Sequence, residues 1–435
     1  MRILLISTNR HDRFVGSLPV RPIPLGLAIL LGALRGSRHE VHVLDLMFER
    51  APRQAIRRAI RKSSPDLIGM SVRNLDAFGG PRVPRPLGGV RSSLPEIRSW
   101  ILTCRQASRA PIVLGGPAVS LLPREAFAAL EPDFLLAGDA SRTFLALAER
   151  LEDAKPWSEL PGLTYRHGTA IQMNPLGSWE APQVSPIYDA FDLKKYKAAG
   201  YSVSVLTRLW PYIRTAGPTP MTAMPGPVAR PIPGLLADLR DLRTRLRIRR
   251  VFLADSGFNV PLPEAKVLCR ALRDSRLDLE WATGLQPGSM DDELARLMRD
   301  AGCRMALLAG PGPLQEPLRD FDWHLAQFAA TAEPLCAARV HLVATAIFGR
   351  PGETRDTVER TLDLLAHLNP SHVQLSAGIR ILPFTPLAER AKAEGVIRQD
   401  GDCLYPVRYL SPDLRDWLPR RLRAAARTHP SWHVV

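Results

Sequence analysis

Short apolar strand segments alternate with amphipathic helical segments along this 435-residue chain, and this alternation is its most constraining feature. In the first part, strands are predicted at residues 2–7, 40–45, 66–71, 111–116 and 133–138, and helices at 25–34, 53–62 and 141–151. Apolar strands separated by helices indicate a doubly wound parallel sheet of the α/β class. We therefore expect residues 1–155 to form a Rossmann-like domain.

A second alternating region follows a bridge. Residues 156–202 contain a predicted hairpin around His167-Gly168 and a proline-rich linker. From residue 203 to 390, strands are predicted near 204–206, 249–253, 279–282, 305–308, 341–347 and 373–375, with helices between most of them. About six strand–helix units predict a full or partial (β/α) TIM-type barrel. Residues 391–435 are expected to form a short helical C-terminal tail.

Small and polar residues follow the predicted strands of the first domain. Parallel sheets of this class bind ligands beyond the carboxyl ends of their strands, where small residues let a ligand approach the backbone. A single glycine pair is explained equally well as a turn from strand to helix, but several such strand ends together favour a ligand site. The candidates are Ser7, Asn9, Ser71, Arg73, Asn74, Gly115, Gly116, Pro117, Gly138 and Asp139.

Composition excludes several classes of protein. The formal net charge is +15, but the arginines are scattered along helices, so solvated helix faces explain them better than nucleic-acid binding. The longest apolar run, 23–34, is interrupted by proline and glycine and is too short to span a membrane. The N-terminus lacks a signal-peptide cleavage site, and we expect a cytoplasmic protein. The five cysteines have no metal-ligand spacing, so no metal bound by protein side chains is predicted.

Motifs in both halves resemble those of the cobalamin-binding radical S-adenosylmethionine (SAM) superfamily. Each motif is weak alone, but their order and spacing are specific. In the first half they are 24–27, 69–74, 114–117 and 137–139, and in the second half 252–259, 281–283, 297–303, 348–354 and 378–387.

The resemblance implies cobalamin in the first domain, contacted by the strand-end candidates and by Leu25 and Gly26 at the start of the first helix. It implies SAM or substrate at the barrel strand ends, for which Asp255, Ser256, Asn259, Gln286 and Arg380 are candidates. Gln286 and Arg380 are explained equally well as ordinary polar residues at the protein surface. Family activities are methyl transfers to unactivated carbon or phosphorus and some ring rearrangements, often in natural-product pathways.

The chain departs from the family at two places. Where the family has Cys-x3-Cys-x2-Cys to hold a [4Fe–4S] cluster, this chain has Trp210, Arg214 and Gly217. None of these can replace a thiolate, since arginine has no lone pair to donate. Relatives also place an acidic residue near SAM where this chain has Ala309-Gly-Pro-Gly312. An Asp322-Trp-His segment imitates a cobalamin signature but lies in the barrel, and we attribute it to chance.

Three hypotheses follow. The first is a methyltransferase-like or rearrangement enzyme that binds cobalamin, acts on a small molecule and lacks a conventional cluster, with its catalytic residues unassigned. The alternative is a non-catalytic cobalamin-binding partner or regulator of an active paralogue. The third is a barrel enzyme without either cofactor, in which Asp255, Asn259 and Glu353 carry acid–base chemistry. The sequence lacks the paired carboxylates that would favour the third.

Overall fold

The computed structural model describes residues 1–10, 13–15, 18–77, 91–177, 184–197, 200–209, 228–312 and 314–435. In the first half, the strands are β1 (Arg2–Ser7), β2 (Arg13–Val15), β3 (Leu18–Val20), β4 (Glu40–Asp45), β5 (Leu67–Ser71), β6 (Asp76–Ala77), β7 (Arg91–Ser92), β8 (Ile112–Gly115), β9 (Phe134–Leu136), β10 (Leu163–His167) and β11 (Ala170–Met173). The helices are α1 (Leu25–Leu34), α2 (Pro52–Ser63), α3 (Leu94–Ala107), α4 (Pro117–Ser120), α5 (Pro123–Leu130), α6 (Ser141–Glu152) and α7 (Leu193–Lys197).

The first sheet has the order β11-β10-β9-β8-β5-β1-β4. Its five strands from β9 to β4 are parallel, and the predicted hairpin, β10 and β11, adds antiparallel strands beside β9. Chain order reverses between β1 and β5, since β4 lies on one side of β1 and the later strands lie on the other. This is the doubly wound topology predicted from the sequence, and such a reversal is where these sheets bind ligands.

The second half contributes the strands β12 (Ser204–Val205), β13 (Arg208–Leu209), β14 (Val228–Ala229), β15 (Arg250–Leu253), β16 (Glu280–Leu285), β17 (Cys303–Ala309), β18 (His341–Phe348), β19 (His372–Ala377), β20 (Ile379–Arg380), β21 (Arg408–Tyr409) and β22 (Trp432–Val434). Its helices are α8 (Ile232–Thr244), α9 (Leu262–Asp274), α10 (Asp292–Asp300), α11 (Phe321–Ala337), α12 (Arg355–Leu368), α13 (Pro386–Ala393) and α14 (Leu418–Thr428). Short 3₁₀ turns occur at Leu46–Phe48, Asp400–Leu404 and Pro412–Leu414.

The second sheet is the barrel predicted from the sequence. Seven parallel strands follow the order β12-β15-β16-β17-β18-β19-β22. Within the described ranges no ladder joins β12 to β22, so the barrel is of the partial kind. Residues of the expected helical tail also supply a strand, because Trp432 of β22 pairs with Val373 of β19.

The two faces of the first sheet are covered by different parts of the chain. Ile3 and Leu5 of β1 belong to a core that continues through α1 and α6 into the barrel. Leu4 and Ile6 point to the other face, and their core includes α3, α5 and the C-terminal segment 379–409. The first domain therefore packs on both faces against later parts of the chain.

Two long helices were not among the predicted elements. Helix α3 occupies 94–107, next to a proline- and glycine-rich stretch, and α11 occupies 321–337. The sequence of α11 is rich in alanine and contains Pro334, so its apolar residues form no clear stripe. Tertiary packing decides here, since Phe328, Ala332 and Leu335 are buried in the barrel core.

Candidate functional site

The carboxyl ends of the first sheet form one row of strand-end residues. Ser7 is the register partner of Asp45 on β4 and of Ser71 on β5, and Ser71 is paired in turn with Gly115 on β8. The structure thus places the predicted residues Ser7, Asn9, Ser71, Arg73 and Asn74 where strand order reverses, with Gly115, Gly116 and Pro117 at the neighbouring end of β8. We call this row, with Asp45, the first carboxyl edge.

Asn9 is the unusual residue of this edge. It is 6% exposed, and neither its Nδ2 nor its Oδ1 has a hydrogen-bond partner among the described residues. Its neighbour Thr8 is engaged, because its hydroxyl donates to the Ser71 carbonyl at 2.8 Å. Buried amides are almost always hydrogen-bonded in native proteins. The orphaned Asn9 amide therefore suits a polar ligand at this position.

Gly116 sets the turn that ends β8. Its φ is +107°, a region that residues with a side chain rarely adopt, and an added Cβ would lie 2.5 Å from the Val72 carbonyl oxygen. A hydrogen bond from the Val72 N–H to the Gly115 carbonyl at 2.7 Å continues the β5–β8 pairing beyond Ser71. Glycine is required here by the backbone, so the β5 and β8 ends approach each other closely.

The other predicted contacts of the first domain have varied surroundings. Leu25 and Gly26 lie in the first turn of α1, and Gly26 is exposed with open space where a Cβ would stand. Gly138 follows β9, with its N–H bonded to the Ser120 hydroxyl at 3.2 Å. The Asp139 carboxylate accepts the Ser141 N–H at 3.1 Å, which supports the start of α6.

A half-buried carboxyl that the sequence analysis did not select also lies on this edge. Asp45, the last residue of β4, accepts hydrogen bonds from the Tyr196 hydroxyl and from the Met47 N–H at 3.1 Å. Burial raises the pKa of the Asp45 carboxyl, and these bonds oppose that rise. Because Tyr196 belongs to α7 in the linker, the pair fastens the linker to the first carboxyl edge. In the sequence, the one signal for Asp45 as a site residue is its position at the end of a predicted strand.

The barrel's carboxyl edge begins with a buried ion pair. Asp255, after β15, lies 2.8 Å from Nε of Arg208, and both side chains are almost fully buried. The Thr207 hydroxyl donates to the same carboxylate at 2.7 Å, and the Gly257 N–H donates to its other oxygen at 3.0 Å. Asp255, a predicted SAM or substrate contact, is thus held by residues of its own chain. Arg208 was not among the predicted site residues.

Asn259 is likewise engaged through both atoms of its amide. Its Nδ2 donates to the carbonyls of Gln286 at 2.7 Å and Ser289 at 2.9 Å, and its Oδ1 accepts the Gln286 N–H at 2.9 Å. These bonds fix the backbone of the turn after β16. The Gln286 side chain is half-buried and Ser256 is exposed, so these two predicted residues are the accessible ones of the group.

Further along the barrel edge, Arg350 and Glu353 are buried beside the turn at 309–312. The Arg350 guanidinium donates to the Pro311 carbonyl, and the Glu353 carboxylate accepts the Gly349 N–H. Burial raises the pKa of Glu353 and lowers the pKa of Arg350. The third hypothesis assigned acid–base chemistry to Glu353, but its described contacts hold the backbone after β18.

Arg380 joins the two halves of the chain. Its Nε donates to Asp76 at 2.8 Å, and its Nη2 donates to the Cys403 carbonyl at 2.8 Å. Asp76 follows the carboxyl end of β5, while Arg380 follows the carboxyl end of β19. The two carboxyl edges therefore meet at this ion pair, and the Arg380 guanidinium has partners within the protein.

The three altered cluster positions, Trp210, Arg214 and Gly217, lie outside the described residues. The segment that contains them is flanked by a short antiparallel ladder, in which Arg208 pairs with Ala229. In the part of the chain that the structure describes, no group of three or more His, Cys, Asp or Glu side chains could hold a metal ion. Asp322, in the cobalamin-like segment, forms an exposed ion pair with Arg360.

None of the described helices is both long and apolar enough to cross a membrane.

Comparison with known proteins defines the class of this fold. Residues 14–148 match the B12 binding domain family, so the first half carries a B12-binding domain. The chain has the fold of the radical S-adenosylmethionine methyltransferase TsrM from Kitasatospora setae, solved with cobalamin and a [4Fe–4S] cluster bound. The TM-score is 0.77 at 20% identity, with 95% of this chain and 84% of that chain covered. The resemblance and fold class predicted from the sequence are confirmed.

The chain is also similar to individual proteins described as methyltransferases or cobalamin-dependent enzymes. The chain is 24% identical to tryptophan 2-C-methyltransferase from Streptomyces laurentii, with 84% of this chain and 71% of the relative covered. It is 21% identical to the uncharacterized methyltransferase PH0819 of Pyrococcus horikoshii, with 91% of this chain and 84% of the relative covered. The cobalamin-dependent SAM radical enzyme OxsB, solved with aqua-cobalamin and SAM, has a TM-score of 0.69 at 15% identity, covering 98% of this chain and 66% of that chain.

Proposed function

We propose that this protein is a cobalamin-dependent, methyltransferase-like enzyme that acts on a small molecule without a conventional [4Fe–4S] cluster. The observation that carries the proposal is the first carboxyl edge, where the buried Asn9 amide has no partner among the described residues and strand order reverses. The B12-binding domain match over 14–148 supports cobalamin as the class of ligand. Cobalamin, when bound, supplies a cobalt that carries a methyl group and releases it to a nucleophile.

The residues present fit cobalamin but not the cluster. The strand ends present polar side chains and glycines along one edge, and Gly116 allows two of these ends to lie close together. A cluster needs thiolate ligands, and residues 207–220 contain no cysteine. The proposed reaction therefore proceeds without a cluster. On the barrel edge, Asn259 and Asp255 fix the strand ends, whereas Gln286 and Ser256 remain accessible to SAM or substrate.

A specific observation favours the second candidate, a non-catalytic cobalamin-binding partner of a paralogue. Asp255, Asn259 and Arg380, all predicted ligand contacts, use their polar atoms in bonds within the chain. A barrel whose polar groups bond to one another has less to offer a substrate. Turnover by the isolated protein distinguishes the two candidates, since a partner protein would show none.

The test is metal analysis of protein purified with cobalamin supplied. We expect about one cobalt per chain, the visible spectrum of a bound corrinoid, and no stoichiometric iron or sulfide. Absence of cobalt would contradict the cobalamin proposal. About four iron atoms per chain, the content of one [4Fe–4S] cluster, would contradict the proposal that the cluster is missing.

A further inference from the structure

Asn9 differs from Asn259, another buried amide of this chain, in its hydrogen bonding. Asn9 is 6% exposed, yet both of its amide atoms lack partners among the residues described. Asn259 is fully buried, and each of its amide atoms is bonded to backbone. Burial of an unbonded amide costs free energy in the folded protein. A bound ligand that bonds to the Asn9 amide would remove that cost.

The position of Asn9 in the fold indicates which ligand could bond to its amide. Asn9 follows β1, two residues beyond Ser7, and the neighbouring β5 end is tied to this segment through Thr8 and the Ser71 carbonyl. Chain order reverses between these two strands. A ligand bound at such a reversal lies against the strand ends on either side of it, which include the orphaned amide.

The amide restricts the chemistry of its partner. Asn9 offers a donor, Nδ2, and an acceptor, Oδ1, in one plane. A phosphate or carboxylate supplies only acceptors when ionised and would leave Oδ1 unbonded. A primary carboxamide supplies both donor and acceptor in matching geometry, so the two amides can bond reciprocally. The rim of the corrin ring in cobalamin carries several primary carboxamides.

We propose that Asn9 is a specificity-determining residue that pairs with a primary carboxamide of the corrin ring, and selects amidated corrinoids over those with free carboxylates. This inference rests on the proposed cobalamin site and adds to it a residue and a selectivity. It also accounts for a buried amide that the described residues leave unbonded.

The test uses Asn9→Leu, which has nearly the same size and no polar atom. In protein without corrinoid, the melting temperature of Asn9→Leu should equal or exceed that of the wild type, because no hydrogen bond is lost. The matched control is Asn174→Leu. The Asn174 amide donates to the carbonyls of Ser158 and Leu160 at 2.6 and 2.7 Å, so its loss should lower the melting temperature.

Binding is measured by equilibrium dialysis with hydroxocobalamin, and then with cobinamide and cobyrinic acid, which carry amides and carboxylates respectively at the corrin rim. Asn9→Leu should weaken hydroxocobalamin binding by about 10- to 100-fold, the loss expected for two hydrogen bonds. Its preference for cobinamide over cobyrinic acid should fall by about tenfold relative to wild type. Asn174→Leu should leave both quantities unchanged. Asn9→Ala, which removes the amide and leaves a shorter side chain, should also weaken hydroxocobalamin binding.

Each outcome is decisive. Equal hydroxocobalamin binding by wild type and Asn9→Leu overturns this inference and leaves the proposed function standing. A melting temperature that falls in Asn9→Leu as it does in Asn174→Leu also overturns it, since Asn9 would then have partners within the protein. Absence of corrinoid binding by the wild type overturns the proposed function and this inference with it.

Discussion

The two carboxyl edges of this molecule differ in how a buried asparagine amide is bonded. On the first edge, the buried Asn9 amide has no partner in the described part of the chain. On the barrel edge, Asp255 is ion-paired with Arg208 and accepts hydrogen bonds from Thr207 and Gly257, and Asn259 is bonded to backbone through both amide atoms. On the proposed function, the unbonded amide of the first edge contacts the ligand, whereas the bonded polar groups of the barrel edge stabilise the fold. The difference agrees with our proposal of a cobalamin-binding domain beside a barrel that works without a conventional cluster.

The largest expected effect comes from breaking the ion pair of the barrel edge. Arg208→Ala leaves the Asp255 carboxylate buried without its cation, and we expect the free energy of unfolding to fall by about 3–5 kcal/mol. Denaturant unfolding followed by tryptophan fluorescence measures it. The control is Arg250→Ala, which removes an exposed ion pair with Glu280 and should change little. A small fall in the free energy of unfolding of Arg208→Ala would mean that this ion pair does not stabilise the barrel edge.

The next effect concerns the place where the edges meet. Arg380→Met removes the bond to Asp76 and those to carbonyls of the C-terminal segment, and should lower the free energy of unfolding by about 2–3 kcal/mol. Hydrogen exchange should also rise at residues 379–409 and in the segment around Asp76. Arg398→Met, which removes an exposed ion pair with Asp402, should leave exchange unchanged. Unaltered hydrogen exchange in Arg380→Met would mean that the contact between Arg380 and Asp76 does not stabilise the two edges together.

A smaller effect is expected from the glycine turn of the first edge. Gly116→Ala puts a Cβ 2.5 Å from the Val72 carbonyl at a φ of +107°, which should destabilise the first domain by about 1–3 kcal/mol. The melting temperature and cobalamin affinity should both fall, since β5 and β8 must move apart. Gly234→Ala, in α8 with open space around it, should be neutral or slightly stabilising. An unchanged Gly116→Ala protein would contradict the close approach of these strand ends.

The smallest effect is the pH dependence of Asp45. Because burial raises its pKa in the folded protein, the folded state holds the proton more tightly than the unfolded chain does. Stability that depends on Asp45 is therefore fullest at acidic pH and declines as pH rises through the folded pKa. We expect the melting temperature of Asp45→Asn to gain on the wild type by a few degrees at most between about pH 4 and pH 8.

Asp66→Asn is the control of opposite sign. The Arg2 guanidinium bonded to Asp66 lowers the pKa of that carboxyl, so wild-type stability that depends on it is lost as pH falls through the folded pKa. Scanning calorimetry of both variants across the range checks the two signs. Parallel pH profiles for Asp45→Asn and wild type would mean that the pKa of Asp45 is not raised in the folded protein.

Much of the first carboxyl edge could be predicted from the sequence. The contacts that could not be predicted depend on how distant segments pack. Ser7, Ser71 and Gly115 lie together because parallel strands align their carboxyl ends, which the alternation of elements already implies. The tie between Asp45 and Tyr196 could not be predicted, since these residues are 151 positions apart and the linker path decides their contact. The hydrogen bonding of Asn9 is also a property of the packed fold, since a sequence does not reveal which partners come within reach of a side chain.

The barrel edge was harder to predict for a different reason. Asp255, Asn259 and Arg380 are polar residues at strand ends, which is equally consistent with binding a ligand or fixing a backbone. Their bonds to Arg208, Gln286 and Asp76 are made across elements, and only the structure distinguishes the two roles. Helix α11 was not predicted because its alanine-rich sequence, with an internal proline, has no clear apolar stripe.

The C-terminal cover of the first sheet has a consequence for how the protein is made. Ile379, Ile381, Leu387 and Tyr409 share a core with α3 and α5, yet the ribosome makes them only after the first domain and most of the barrel have emerged. During that interval, the nascent first domain exposes an apolar helical face that its own residues cannot cover. Such surfaces invite aggregation during synthesis, so expression of the first domain alone should need either a chaperone or the C-terminal segment supplied with it.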